Sequence, residues 1–249
     1  MSSLAYNFAS GSMYAVRTDA AAGATPTAVK FGVLQKAEIK FAGQNKELHG
    51  QYQFPQDVAR GPVKVTGKAT SAQIFSSYFD LFFGEGVTSA TALLVAVGEA
   101  GTIPGSSTYT VTVTHSATFT QDLGVIYASS GIPFVRVASL TAVGQYTVSA
   151  GVYTFFSGDA SVAVQISYEY TATSANELVL TNQLMGTTPT FLMVLATTYK
   201  GNVFNMHLNQ CVSQNLTMPV SNQEYSIFDF DFEAYTDASN NLGKITLSQ

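Results

Sequence analysis

Tryptophan is absent from the 249-residue sequence, cysteine occurs once, histidine three times, and charged residues amount to only 11%. Each shortage excludes something. A single thiol, Cys211, cannot form an internal disulfide and suits folding in a reducing compartment. Scarce charge beside 46% hydrophobic residues and a mean hydropathy of +0.17 excludes an intrinsically disordered chain. No stretch approaches the roughly 18 consecutive apolar residues that a membrane helix needs. The opening Met1-Ser-Ser-Leu-Ala-Tyr-Asn-Phe8 lacks the basic flank and apolar block of a secretory signal, so export by that route is not expected. A chain of 26.5 kDa can bury about 70–75% of its unfolded surface without help from metals or disulfides. The large apolar and Ser/Thr-rich remainder suits a subunit covered by its neighbours.

Charge is unevenly placed. Residues 1–70 hold eight Lys/Arg against four Asp/Glu, a net of +4; residues 71–249 hold three against twelve, a net of −9. With a pI near 5.1 and no arginine cluster, general nucleic-acid affinity is not expected. Either the basic end of one copy meets the acidic part of another, or sparse charges cluster by chance.

Period-2 patterns dominate, which predicts an all-β chain. Over 29–41, Phe31, Val33, Ala37, Ile39 and Phe41 share one face, with Lys30, Lys36, Glu38 and Lys40 opposite. Turns are expected at Gly43 to Lys46 and at Arg60-Gly61-Pro62, with strands at 48–54 and 63–69. One segment has helical spacing instead: Ile74, Phe75, Tyr78, Leu81 and Phe82 predict a helix over 71–83, capped by Thr70 or Ser71 and closed by Gly84. Residues 107–172 are rich in Thr, Tyr and Val with regularly spaced glycine turns. Further strands are expected at 177–182, 190–199, 202–209, 211–217, 225–235 and 244–247. The expected architecture is an antiparallel β-sandwich with one flanking helix, built from 1–97 and 176–249 and carrying a β-rich insertion at 98–175.

Catalytic signatures are missing. His49, His115 and His207 lie far apart without a metal-ligand partner at close spacing, and Cys211 has no activating base nearby in sequence. There is no nucleophile elbow, no phosphate-binding glycine loop and no Cys-x-x-Cys, so neither cofactor nor metal is expected. The sequon Asn215-Leu-Thr217 has no meaning without secretion. The sharpest pattern is Phe228-Asp-Phe-Asp-Phe-Glu-Ala-Tyr235, in which phenylalanines alternate with Asp229, Asp231 and Glu233. Carboxylates two apart on a strand are spaced about 6.5–7 Å, within reach of glycosidase geometry. The lack of tryptophan as a sugar platform counts against that use. A row about 13 Å long also cannot close on one calcium ion. A solvated strand face, a charge-lined functional surface and a catalytic row all remain open at this point.

Several segments, taken in order, carry a family likeness. Leu48-His-Gly-Gln-Tyr-Gln-Phe-Pro-Gln-Asp-Val-Ala-Arg-Gly-Pro-Val-Lys-Val-Thr-Gly-Lys68 and the aromatic segment ending Leu-Phe-Phe-Gly84 resemble the N-terminal half of the major tail tube proteins of long-tailed bacteriophages. Gly144 to Phe155 and Ile166 to Thr171 resemble the inserted β segment of a subgroup, and Thr198 to Gly201 with Phe228 to Gly243 resemble the C-terminal half. The likeness implies a structural, non-enzymatic role. Such subunits form hexameric rings that stack into a hollow tube, where strands from six copies close the wall of the DNA conduit. It implies a place in the virion tail, assembled in the bacterial cytoplasm, with tape measure, tail terminator and distal tail proteins as partners. DNA would pass through without specific binding. By the same likeness, the segment from Gly43 to Gly61, with Lys46, Glu47, Asp57 and Arg60, would reach a neighbouring subunit or ring. The row Asp229, Asp231 and Glu233 would face the lumen if its strand lines it. The insertion departs from a minimal tube domain. The competing expectations are a β-sandwich protein that binds or cleaves carbohydrate, and another virion component such as a head decoration.

Overall fold

The computed structural model describes residues 11–19, 25–86, 91–173, 175–199, 202–222 and 224–248. The elements in chain order are β1 (Gly11–Arg17), β2 (Val29–Lys30), β3 (Leu34–His49), β4 (Pro55–Ser71), α1 (Ser76–Phe83), β5 (Ala92–Thr102), β6 (Thr110–Thr112), β7 (Phe119–Tyr127), β8 (Val135–Arg136), β9 (Gln145–Ser149), β10 (Val152–Phe155), β11 (Ala163–Ala172), β12 (Thr190–Tyr199), β13 (Asn202–Thr217), β14 (Phe228–Tyr235) and β15 (Gly243–Leu247). The protein is all-β, with antiparallel sheets and one α-helix among the described residues. No helix among those residues is long and apolar enough to cross a membrane.

Two compact units share the chain: Met1–Gly86 with Leu178–Gln249, and Val87–Glu177. The sequence pattern had placed the start of the insertion at 98. The division falls earlier because β5 pairs along its length with β11, from Ala92 opposite Ala172 to Thr102 opposite Ala163.

The first unit holds an eight-stranded sheet ordered β2-β1-β12-β13-β14-β4-β3, with β15 also on β13. Its pairings run in one transverse row through Arg17, Phe191, Cys211, Ala234, Val65 and Phe41. The core face carries Met13, Phe31, Phe191, Met193, Phe230 and Phe232, all essentially inaccessible. Tyr78 and Leu81 of α1 join it, so the aromatic stripe of the helix is core, with Phe31 stacked on Tyr78 at 4.9 Å. Gly67 lies under Phe232, where a Cβ would run into the ring.

Three local expectations fail for one reason: long-range pairing overrides a local signal. The helix begins at Ser76 because Ser71 still belongs to β4, paired with Phe228, its hydroxyl donating to the Gln73 carbonyl at 2.8 Å. Phe75 takes the N-cap position without a side-chain bond, while Gly84 ends the helix at φ 75 as expected. Val33 sits at φ 45 in the turn before β3, so the strand alternation of Ala37, Ile39 and Phe41 does not extend back to it. The two turns expected at Gly43 to Lys46 and at Arg60 to Pro62 are absent. Those segments face each other in one long hairpin, Gly43 opposite Val63 and Asn45 opposite Arg60, and a bulge between them absorbs the extra residue. Pro62, which cannot donate to the ladder, falls in that bulge. Residues 177–182 form no strand, and 202–217 is one strand rather than two.

The second unit has its own core, packed between a four-stranded sheet, β6-β10-β9-β8, and a three-stranded sheet, β5-β11-β7. All its strand pairs are antiparallel except the short β8–β9 pair. Tyrosine hydroxyls there end on carboxylates. Asp122 accepts from Tyr146 at 2.7 Å and Tyr153 at 2.9 Å, Asp159 from Tyr127 at 2.8 Å, and Glu99 from Tyr168 at 2.5 Å. Each bond lets a buried or half-buried phenol satisfy its polar end beside an apolar layer.

Candidate assembly surface

The residues expected to make contacts, Lys46, Glu47, Asp57 and Arg60, all lie on the distal part of the β3–β4 hairpin. Every residue from Lys40 to Arg60 is exposed. Two strands of 16 and 17 residues are far longer than the core needs, so the outer half of the hairpin extends beyond it. Strand pairing alone holds it: Lys46 stands opposite Ala59, Glu47 opposite Val58 and Leu48 opposite Asp57. Opposite residues share a face, so Lys46 and Asp57 lie on one side of the ribbon, Glu47 and Arg60 on the other. Glu47 bonds His49 at 3.1 Å, and the Asp57 carboxylate accepts from the Val58 amide at 2.9 Å. Neither Lys46 nor Arg60 makes an ion pair among the described residues. The same ribbon leaves Leu48, Tyr52, Phe54 and Val58 more than half exposed. An isolated two-stranded ribbon is marginal in water, and this one carries large apolar side chains in the open.

The row Asp229, Asp231 and Glu233 does share the face opposite the phenylalanines, as the alternation requires. It does not stand alone. Lys68 Nζ reaches Asp229 at 2.8 Å and Asp231 at 4.0 Å, and Lys64 reaches Glu233 at 2.8 Å. Gln214 also donates to Glu233, and Asn215 lies 3.4 Å from Asp231. The hydrogen bond that Lys68 donates to Asp229 raises the lysine's pKa, with the nearby carboxylate charges adding to it. Across β4, β3 contributes Lys36, Glu38 and Lys40 to the same face, with Glu38 opposite Lys68. The face therefore holds four lysines (36, 40, 64, 68) and four carboxylates (38, 229, 231, 233), a net of zero. This is a charge mosaic rather than an acidic strip. The alternation of Lys64, Thr66 and Lys68 was visible in the sequence, but nothing there said which strand would lie beside it.

At the other end of the transverse row, a groove of about 990 Å³ opens between the hairpin base and the end of β14. Phe41, Pro62, Val63, Tyr235 and Leu242 line it, with Arg60 among its lining residues. The carboxylates expected as possible catalysts do not enter an enclosed pocket: the depression beside Asp231 is about 290 Å³ and is bordered by Lys40 and Lys68. The histidines are dispersed. His49 is on the hairpin, His115 stacks on Tyr170 at 3.9 Å, and His207 lies in β13 opposite Val194 of β12. Burial pushes the Cys211 thiol up to about 12, which leaves it unreactive. No group of three His, Cys, Asp or Glu that could hold a metal occurs among the described residues.

No protein-family model matches this sequence, and no curated protein matches it.

Proposed function

We propose that this chain is a structural subunit that polymerises with itself, as the tail tube protein of a long-tailed bacteriophage does, into stacked hexameric rings. One observation carries the reading: a hairpin whose residues from Lys40 to Arg60 are all exposed, with large apolar side chains that nothing covers among the described residues. A neighbouring subunit or ring is the occupant that the reading assigns to it. The open edge of β3 supports the same reading, because pairing with another copy would remove an exposed edge strand.

The charge mosaic fits a DNA conduit better than the bare acidic row would suggest. DNA is held by cations that replace its condensed counterions. Lysines already tied to carboxylates, as Lys36, Lys64 and Lys68 are, offer it little. In this reading the face of β14 bearing Asp229, Asp231 and Glu233 lines the lumen. Tape measure, terminator and distal tail proteins bind the tube ends, and the virion tail is the final location.

Sedimentation over a range of concentrations, followed by negative-stain microscopy, tests the reading. Six-fold species and hollow tubes are expected. A compact monomer at every concentration, with or without the tail proteins of the same phage, removes it.

A further inference from the structure

The segment between the two units' junction and β12 makes a second surface with no partner of its own. Leu184 and Met185, adjacent in the chain, are 86% and 102% exposed. Yet the loop that bears them is anchored. The Glu85 carboxylate accepts from Thr181 and, at 2.6 Å, from the Gln183 amide, which also donates to the Phe83 carbonyl at 3.2 Å. These bonds lower the pKa of Glu85 from its ordinary value, the Thr181 bond contributing most, so the carboxylate is ionised at neutral pH. Arg17 fixes the helix end beneath, bonding Asp80 at 2.7 Å and the Gly84 carbonyl at 3.0 Å. The result is an apolar knob above an anion that has no cation partner among the described residues.

The register of the sheet places this knob and the groove at opposite ends of one row. Arg17, beside the knob, and Phe41, in the groove, terminate the row that passes through Phe191, Cys211, Ala234 and Val65. Five strand-to-strand steps of about 4.8 Å separate them along the sheet. The groove is apolar, and of its two cations Lys64 is taken by Glu233 while Arg60 makes no ion pair. Knob and groove are thus complementary in both apolar character and charge. Two different patches on one chain that fit each other make a head-to-tail contact, the kind that closes rings.

We infer that the knob at Leu184 and Met185 of one copy seats in the groove at Phe41 and Val63 of the next, with Glu85 meeting Arg60 across the contact. The inference rests on the self-assembly reading and names the lateral contact within a ring. The occupant of the groove is a second copy of this chain.

The test uses the full-length protein. Arg60→Glu and Glu85→Lys, each alone, should raise the concentration needed for assembly by about tenfold, because like charges then meet. The two substitutions in one chain should restore it. Should a single variant not fold, a second measurement decides. Met185→Cys and Val63→Cys proteins, mixed under assembly conditions with a short bis-maleimide, should give cross-linked dimers. Neither protein alone should, since the native Cys211 is fully buried. Tubes that form without cross-links, and without response to either charge change, overturn the contact and leave the tube reading standing. Cross-links within a monomer carrying both cysteines overturn it too. An unmodified protein that never assembles overturns both.

Discussion

Lys68 and Asp229 stand 161 positions apart in the chain, and their side chains meet at 2.8 Å across β4 and β14. Neither residue is buried, so solvent screens the pair and it adds little to stability by itself. Its importance is that it makes the outer face of the sheet neutral. Asp229→Lys with Asp231→Lys puts unpaired lysines beside Lys68. The fold should survive, since both positions are half-buried on the face of β14 opposite the phenylalanine core. On the proposed lumen wall the variant should still assemble, while DNA passage becomes slower and the slowing salt-dependent. Ejection kinetics at two ionic strengths check this, and unchanged kinetics with normal tubes would take the strand out of the lumen.

Reversing Lys46 and Arg60 to glutamate addresses the hairpin. Neither side chain makes an ion pair among the described residues and both are exposed, so the melting temperature should barely move. Assembly should weaken, Arg60 through the lateral contact inferred above and Lys46 through the hairpin's contact with a neighbouring subunit or ring, and the tubes should be shorter or absent by microscopy. Tubes of normal length would show that the hairpin charges play no part in assembly.

Gly67 offers a test of packing. Because a Cβ there meets the Phe232 ring, Gly67→Ala should destabilise the first unit by about 1–3 kcal/mol through overpacking. Phe232→Leu in the same chain should recover part of that loss by making room. A thermal melt of the single and double variants reads both.

The tyrosines of the second unit make it sensitive to alkali. Burial, and then the bonds to Asp159 and Glu99 respectively, push the Tyr127 and Tyr168 hydroxyls up to about 12, and Tyr146 and Tyr153 are raised as well. A raised folded-state pKa means that the folded state keeps the proton more tightly. The associated stability is therefore whole below the unfolded tyrosine pKa of about 10 and is lost as pH rises through the folded values. The second unit should unfold between about pH 10 and 12, with tyrosinate absorbance appearing together with unfolding. Tyrosinate that appears well before unfolding would contradict the bonding described.

The second unit should also be separable. It has its own core, and Thr181 and Gln183 are tied to Glu85 and Phe83 on the first unit's side. Replacing 87–177 by a short Gly/Ser linker should leave a folded first unit that still forms tubes. Aggregation of the excised protein in every linker length tried would show that the units depend on each other.

Much of this fold is written locally. Alternation along Phe228 to Ala234 determines which side of β14 enters the core, because successive strand side chains must point to opposite faces. Spacing near Tyr78 and Leu81 determines that one segment is helical, and Gly84 where it stops, because glycine takes the left-handed conformation without strain. The tertiary structure decided what local patterns cannot carry. Gly43 and Gly61 fit a turn as well as a bulge, and pairing over the whole length of β3 and β4 chose the bulge. Lys64 and Lys68 became partners of Asp229, Asp231 and Glu233 only when β4 came to lie beside β14. That neighbour is chosen by shared burial of Val65, Gly67 and Phe232 on the opposite face, a contact between segments far apart in the chain that no window of sequence contains.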